Sequence, residues 1–365
     1  MAANRHGELE SQGVTGGAGT QPAGPCARAG KGVFARQSGD RVVSRRALLG
    51  SLILAAIAPS AALAQRLGGL PRIVVLGLSS PADHVRAFED GLRTLGYTHG
   101  TTVAIDHLSA EGRAAALPTL AREAVGLRPQ IIVAIGTAAA IAAQQATKDL
   151  PIVAVTGDIV AAGLVANLGR PEGNVTGLSF FAVDLMLKRF DLLMELAPQI
   201  RRLTVIVESP PHPTQIKGLA ALRTNARKRG VEVLEAPLAR AEDVKAVFVK
   251  LREPGVDGVL LWSSVVFDRR AAEIGRLAGE HRLIAMLPWK EYAHAGGLVA
   301  YAPDILALWR RAATYVDRIL RGAKPADLPV EQPTKFDLVI NLRTAKAVGL
   351  TIPAALLLRA DQVLE

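Results

Sequence analysis

The chain has 365 residues, of which 50% are hydrophobic, and it contains 34 glycines and 21 prolines. This composition excludes a disordered chain and a collagen-like one, and the length suffices for one large domain or two of ordinary size. The net charge is +10, but residues 1–64 contribute +4 of it, so the remaining excess is too thin to indicate nucleic-acid binding.

An export leader precedes the folded body. Arg45 and Arg46 lie directly before the apolar run 47–63, and small residues at the end of this run match the pattern that signal peptidase recognises. The arginine pair is typical of a twin-arginine signal, with an ordinary secretion signal as the alternative. We therefore expect cleavage between Ala64 and Gln65 and a periplasmic mature protein.

A membrane anchor is the alternative for the same segment. It is disfavoured because the run is short and contains Pro59, whereas a span needs about 20 apolar residues. The single cysteine, Cys26, precedes the run, so a lipid anchor on a cysteine after it is not expected. The mature chain would then hold no thiol, which excludes disulfides, a cysteine-rich zinc site and a cysteine nucleophile, and no segment of it is expected to insert into the membrane.

Short apolar runs rich in β-branched residues alternate with amphipathic segments beyond the leader. In the first such segment Val85, Phe88, Leu92 and Leu95 recur at helical spacing, and Gly96 follows as a stop signal. The predicted elements of this first run are the strand Ile73–Leu78, the helix Ala82–Leu95, the strand Val103–His107, the helix Ala114–Val125, the strand Ile131–Ile135, the helix Ala138–Lys148, and the strands Ile152–Val155 and Val175–Leu178.

The alternation then starts again. The second run comprises the helix Asp184–Leu196, the strand Leu203–Val207, the helix Ile216–Arg229, the strand Val231–Ala236, a helix that ends at Leu251, the strand Gly258–Leu261, the helix Asp268–Glu280, and the strands Leu283–Leu287 and Leu298–Ala300. Two runs of similar length predict an α/β protein of two doubly wound parallel-sheet lobes joined by a hinge, with one very wide sheet as the alternative.

A long helix, Ile305–Leu320, a Pro-rich link, a strand Phe336–Asn341 and a short helix Leu342–Val348 complete the pattern. The resulting domain prediction has three parts. The leader is 1–64, the first lobe is 65–180 plus about 303–330, and the second lobe is about 181–302 plus 331–365.

The body carries no complete catalytic or metal-binding motif. It has no G-x-S-x-G, H-E-x-x-H or C-x-x-C, and no two of its histidines are four residues apart. We interpret the histidines as surface or loop residues; they are His84, His99, His107, His212, His281 and His294. No catalytic residue, metal or cofactor is predicted.

Small polar residues recur at the carboxyl ends of predicted strands, where ligands bind in open α/β sheets. Gly136-Thr137-Ala138 fits such a site best, because a helix start there offers free N–H groups to an anion. Any one of these residues could serve only as a helix cap, but several of them on two facing lobes favour a ligand cleft. The candidate ligand-binding residues are Ser79, Ser80, Gly136, Thr137, Ala138, Asp158, Ser179, Ser263, Ser264, Trp289 and Tyr301.

Four stretches of the body resemble one known family. They are Ala87–Tyr97 (AFEDGLRTLGY), Gly163–Ser179 (GLVANLGRPEGNVTGLS), His294–Asp304 (HAGGLVAYAPD) and Arg310–Pro353. They are similar to ABC transporter substrate-binding proteins of the tryptophan/tyrosine-binding type, which have a type I periplasmic-binding fold. The resemblance covers the chain from about residue 72 to 364. It implies a receptor, not an enzyme, that closes on a small solute and delivers it to the permease subunits of an ABC transporter, and we expect it to be a monomer.

The family's ligand contacts lie after the first, third and fourth strands and in the second lobe. The matching positions here are Ser79-Ser80, Gly136-Thr137, Asp158, Ser179, Ser263 and Trp289. Many members have Asp-Pro where this chain has Asp158-Ile159. The resemblance implies that these positions contact the ligand, but it does not identify the ligand.

A zwitterionic solute suits the candidate residues. Its carboxylate would lie at the helix start after Gly136, and Asp158 would meet its amine. Ser79 and Ser80 would add hydroxyl groups, and Trp289 or Tyr301 would cover an apolar or flat part. An amino acid or a close relative is therefore the expected solute.

Two other classes of protein are alternatives to a receptor. A secreted α/β enzyme would need an assembled nucleophile and base, and the sequence shows neither. A transcription regulator with the same two-lobed fold would need a helix-turn-helix before residue 72, where this chain has an export signal instead.

Overall fold

A computed structural model describes residues 69–251 and 256–365. The predicted leader, with Arg45, Arg46 and the cleavage site after Ala64, lies outside the described residues. The described strands form a five-stranded sheet and a seven-stranded sheet. We call the parts of the chain built around them the first lobe and the second lobe.

The first lobe has an all-parallel sheet in the order β2-β1-β3-β4-β5. Its strands β3, β4 and β5 are completely buried, as expected for parallel strands covered on both faces. Its elements are β1 (Arg72–Gly77), α1 (Ala82–Thr94), β2 (Ala104–Ser109), α2 (Leu117–Gly126), β3 (Ile131–Ile135), α3 (Thr137–Ala146), β4 (Ile152–Thr156) and β5 (Val175–Ser179).

Most of the remaining described chain builds the second lobe, whereas one long helix and the segment that follows it up to Glu331 pack on the first lobe. The elements are α4 (Ala182–Leu196), β6 (Arg202–Glu208), α5 (Pro213–Lys228), β7 (Glu232–Leu238), α6 (Val244–Lys250), β8 (Gly258–Leu261), α7 (Val265–Asp268), α8 (Ala271–Glu280), β9 (Ala285–Leu287), α9 (Lys290–His294), β10 (Val299–Ala302), α10 (Ile305–Leu320), β11 (Asp337–Asn341), α11 (Leu342–Ala347), α12 (Ala354–Arg359) and β12 (Gln362–Leu364). The long helix α10 packs on α1 of the first lobe.

The seven strands of the second sheet lie in the order β12-β11-β10-β9-β8-β6-β7. The predicted class, two doubly wound parallel-sheet α/β lobes, is confirmed, and the second sheet departs from the parallel pattern at one pair of strands. Strand β11 pairs antiparallel with β10, and β12 pairs parallel with β11. The reversal arises because the chain leaves the sheet after β10 and re-enters it at the same end, where Asp337 at the start of β11 lies opposite Ala302 at the end of β10. Among the described helices, none combines the length and apolar character that a bilayer span requires.

The predicted elements agree with the structure to within a few residues, with exceptions among the shortest ones. In place of the predicted helix Asp268–Glu280, the structure has two helices, α7 and α8. Ser264 is the N-cap of α7, and its hydroxyl accepts the N–H of Val266. The short elements α9, α12 and β12 were not predicted. Segments of three to six residues contain too little periodic signal to identify them.

The chain passes between the lobes at three adjacent places. They are the step from β5 into α4, the step from β10 into α10, and the segment that leads to β11. The third segment runs beside β5, because Glu331 donates its N–H to the carbonyl of Gly177 and accepts the N–H of Ser179, each at 3.0 Å. Arg311 of α10 binds the Glu331 carboxylate with two nitrogens at 2.7 Å. The three connections are therefore tied to one another.

Helices α1 and α10 touch backbone to backbone at Gly91. A Cβ atom at this position would lie 2.6 Å from the carbonyl oxygen of Arg310 and 2.9 Å from the Cβ of Ala313. Glycine allows this close approach, which holds His84 on α1 against Trp309 on α10, with ring centroids 5.7 Å apart.

We expect Gly91→Ala to lower the free energy of unfolding by about 1–3 kcal/mol, because the added methyl group overpacks a backbone contact. Urea unfolding followed by circular dichroism measures this change. Gly126→Ala is the matched control: a Cβ at this position in α2 meets nothing within 4 Å, so stability should stay equal or rise slightly. Equal stability of the two variants would contradict the close packing of α1 on α10.

Candidate functional site

A cleft lies between the carboxyl ends of the strands of the two sheets. It contains about 560 Å³ of space free of protein atoms, including the open solvent at its mouth. The lining residues are Leu78, His84, Ile135, Gly136, Thr137, Ala138, Val155, Gly157, Phe180, Ala182, Glu208, His212, Trp262, Ser263, Ser264, Val265, Asp268, Trp289, Ile305 and Trp309.

The start of helix α3 forms one part of the first-lobe wall. Gly136 has φ = +84°, a conformation that favours glycine, and it turns the chain from β3 into the helix. A Cβ on Gly136 would lie 3.4 Å from the γ-carbons of Val265, which belongs to the opposite lobe. Thr137 and Ala138 follow in the first turn, whose N–H groups have no partner within the helix. This wall can therefore present backbone donors to an anionic group.

Two stacked rings form another part of this wall. His84 and Trp309 are 5% and 2% exposed, and neither the His84 Nδ1 nor the Trp309 Nε1 has a hydrogen-bond partner among the described residues. Burial lowers the pKa of His84 to about 4, so the imidazole is neutral at pH 7. The interpretation of His84 as a surface or loop residue is therefore wrong, because its helix α1 is covered by α10.

The second-lobe wall is acidic. Glu208 ends β6, and burial raises its pKa to about 7, although a hydrogen bond from Ser264 acts in the opposite direction. Its neighbour His212, whose Nε2 lies 4.0 Å from the Glu208 carboxylate, is also buried enough to have its pKa lowered to about 4. His212 is thus a second cleft residue, and it lies in a loop as expected, directly before α5. At pH 7 it offers Glu208 no positive charge.

A second carboxylate, Asp268, lies at the end of α7. Its Oδ1 accepts hydrogen bonds from the Trp289 indole and the Tyr292 hydroxyl, each at 2.8 Å. Burial raises its pKa to about 7, while these two hydrogen bonds act to lower it. Asp268 therefore fixes the orientation of Trp289, whose ring also meets Phe180 edge to face at 5.4 Å.

Arg189 of α4 is completely buried behind this wall. Its nitrogens donate to the carbonyl of Tyr301 and to the hydroxyl of Ser263, each at 2.7 Å, and to the carbonyl of Pro288 at 3.5 Å. The guanidinium also lies 5.9 Å from the Trp289 ring centre. Burial lowers its pKa to about 9, which the charge of Asp268 partly offsets, so Arg189 remains charged at pH 7.

The structure brings six of the predicted site residues to the cleft. They are Gly136, Thr137, Ala138, Ser263, Ser264 and Trp289. The other five, Ser79, Ser80, Asp158, Ser179 and Tyr301, are not among the lining residues.

Each of the five has another environment. The Asp158 carboxylate accepts the N–H of Ala161 at 2.8 Å and so closes its own turn, and the Ser179 hydroxyl accepts the N–H of Ile159 at 3.2 Å. Tyr301 stacks on Phe336 at 5.8 Å. The hydroxyls of Ser79 and Ser80 are buried and have no hydrogen-bond partner among the described residues.

Sequence reasoning missed several residues of the cleft wall. These are His84, Glu208, His212, Asp268 and Trp309. One signal for Glu208 was present, because it ends the apolar strand β6, where ligands bind in such sheets. Nothing comparable marked Trp309, which lies within a long amphipathic helix.

Two α/β lobes with a cleft at the carboxyl ends of their strands define a two-lobed solute-binding protein of the type I periplasmic-binding class. The model of the family described as "ABC transporter substrate binding protein" matches residues 73–364. The chain belongs to this family, as the sequence motifs implied, and the family is one of solute-binding proteins rather than enzymes.

Several relatives are similar over most of the chain. A tyrosine-binding protein from Clostridioides difficile (strain R20291) is 27% identical over 284 residues, covering 75% of this chain and 81% of that protein. The crystal structure of a conserved domain protein from Vibrio cholerae is 28% identical with a TM-score of 0.72, covering 80% of this chain and 99% of that one. The structure of an ABC domain in complex with L-Trp from Streptococcus pneumoniae is 25% identical with a TM-score of 0.71, covering 81% and 100%.

The raised pKa of Glu208 predicts a pH-dependent effect on stability. A carboxyl whose pKa rises from 4.5 to about 7 on folding favours the folded state while protonated, and this contribution is lost as the pH rises through 7. We expect Glu208→Gln to raise the unfolding free energy of the ligand-free protein by about 1–3 kcal/mol at pH 8 and to change it little at pH 4.5. Thermal unfolding at the two pH values measures this, and an equal effect at both would contradict the burial of an ionisable Glu208.

Proposed function

We propose that this protein is exported from the cytoplasm, binds an amino-acid-type solute in the cleft and delivers it to the permease of an ABC importer. Membership of the ABC transporter substrate-binding family supports the transport role. The similarity to a tyrosine-binding protein and to a structure holding L-Trp supports the solute class. We further propose that the receptor acts as a monomer and is periplasmic.

The geometry of the first-lobe wall carries this proposal. The open N–H groups at the start of α3 suit a carboxylate, because a helix N-terminus combines free donors with a partial positive charge. The indole Nε1 of Trp309 has no acceptor among the described residues and belongs to the same cleft, so it would add a donor. The solute carboxylate would thus be held without a charged side chain.

The aromatic lining suits the rest of such a solute. The chain has three tryptophans, Trp262, Trp289 and Trp309, and all of them line the cleft together with Phe180. Flat or apolar side chains gain from contact with such rings. An amino acid with an aromatic side chain therefore fits the cleft better than a sugar, which would need more hydroxyl partners.

Titration calorimetry with L-tyrosine and L-tryptophan tests the solute class. We expect binding to both, and a loss of at least about tenfold in affinity for tyramine, which lacks the carboxylate, because a charged hydrogen-bond partner is worth roughly 1.5–3 kcal/mol. Thr137→Val should weaken L-tyrosine binding less than this, because the backbone donors remain. Tyramine binding as tight as that of L-tyrosine would contradict the carboxylate site at α3.

Export is tested on the leader. Replacing Arg45 and Arg46 together by Lys keeps the charge of the segment but removes the arginine pair that the twin-arginine route recognises. We expect the doubly substituted precursor to stay in the cytoplasm, as measured by cell fractionation, while a Lys31→Arg control is exported normally. Full export of the double variant would rule out the twin-arginine route and leave the general secretion route.

A further inference from the structure

The charges around the cleft are unevenly distributed. Among the described residues that line it, the titratable groups are Glu208 and Asp268, whose ionised forms are negative, and His84 and His212, which burial keeps neutral at pH 7. No lysine or arginine is among these lining residues. The cleft thus contains acidic groups and lacks a cation of its own at the surface that a solute meets.

The negative charge of Asp268 already has partners within the protein. Its Oδ1 holds the donors of Trp289 and Tyr292, and the guanidinium of Arg189 behind the wall contributes a favourable charge interaction. These contacts give Asp268 a structural task, the orientation of Trp289. A solute that approached Asp268 would compete with partners that the fold supplies.

Glu208 has no positively charged partner within the part of the chain that the structure describes. Its side chain is 11% exposed, and the groups that face it are the neutral His212 at 4.0 Å, the Ser264 hydroxyl and, further along the same wall, the like charge of Asp268. The nearby amide of Gln215 donates to the backbone carbonyl of Glu208 at 2.9 Å and leaves the carboxylate free. His84 is the titratable group that the first lobe adds to this cleft, and it too is neutral.

We propose that Glu208 is the residue that receives the cationic group of the solute and makes the receptor specific for solutes that carry one. This rests on the proposed function and deepens it: the α3 wall takes the carboxylate, and the amine lies across the cleft against Glu208 rather than at Asp158. Burying a carboxylate without a counter-ion costs free energy. A solute ammonium would supply the missing counter-ion and would itself gain a charge-assisted hydrogen bond. A solute without a positive charge would leave Glu208 ionised and unpaired or force it to stay protonated.

The decisive experiment compares two ligands that differ only in the amine. L-tyrosine and 3-(4-hydroxyphenyl)propionate are titrated calorimetrically at pH 8 into the wild-type protein and Glu208→Gln. We expect the wild type to prefer L-tyrosine by about tenfold to hundredfold and Glu208→Gln to lose this preference. Glu232→Gln, which changes an exposed carboxylate on β7, is the matched control and should keep the wild-type preference.

A second readout separates direct contact from a structural effect. Since the pKa of Glu208 is about 7, binding of a cation at pH 7 should expel roughly half a proton per solute. Calorimetry in two buffers of different ionisation enthalpy detects this proton in the wild type, and it should be absent in Glu208→Gln. A merely misfolded variant would lose affinity for both ligands equally.

The outcomes are distinguishable. Should the wild type bind the des-amino acid as tightly as L-tyrosine, or should Glu208→Gln keep the full preference for the amine, the role of Glu208 is overturned while the proposed function stands. Should the wild type bind neither compound nor any other amino acid, the proposed function fails and the role of Glu208 fails with it.

Discussion

The binding face of the second lobe depends on one buried charge. A guanidinium removed from water is costly unless nearly all of its donors are paired and a counter-charge is near. Arg189 meets this condition only while three separate segments keep their positions, since it bonds Ser263 after β8, Pro288 after β9 and Tyr301 within β10. Losing any of these hydrogen bonds would leave a buried charge without its partners. The arrangement of these segments that keeps all of them is therefore strongly preferred. Ser263, and Trp289 next to Pro288, thereby lie on the cleft wall.

The two walls of the cleft present opposite kinds of hydrogen-bonding group. The first lobe presents donors, at the start of α3 and on Trp309, whereas the second lobe presents acceptors, at Glu208 and Asp268. A solute with both kinds of group can satisfy both walls only when the lobes are together. Binding energy is then available for holding the lobes closed, which is how a ligand shifts a two-state equilibrium. A contact already bridges the lobes between the Thr214 hydroxyl and the Asp158 carbonyl, at 3.3 Å.

Much of the fold could be predicted because its elements repeat with a clear period. Strands such as Ile131–Ile135 are continuous apolar runs, and helices such as α10 show a regular apolar face, so both were placed correctly. The direction of β11 could not be predicted, because hydrophobic periodicity does not reveal which end of the sheet a strand enters. The burial of His84 beneath α10 depends on contact with Trp309, a residue more than 200 positions away, and no local sequence pattern encodes such a contact. Asp158 shows the opposite limit: its type and position suited a ligand contact, but sequence does not reveal that its Oδ1 accepts an N–H of its own turn.

The three tied connections between the lobes also limit how the lobes can move. One connection would permit any rotation, and two would still permit twisting about the line that joins them. Three adjacent connections, held together through Glu331, make sliding and twisting stretch at least one covalent segment, while bending across them stretches none. We therefore expect any relative motion of the lobes to follow mainly a single angular coordinate. A partner protein that recognises both lobes at once would therefore read one variable, the opening angle, and through it whether the cleft is filled.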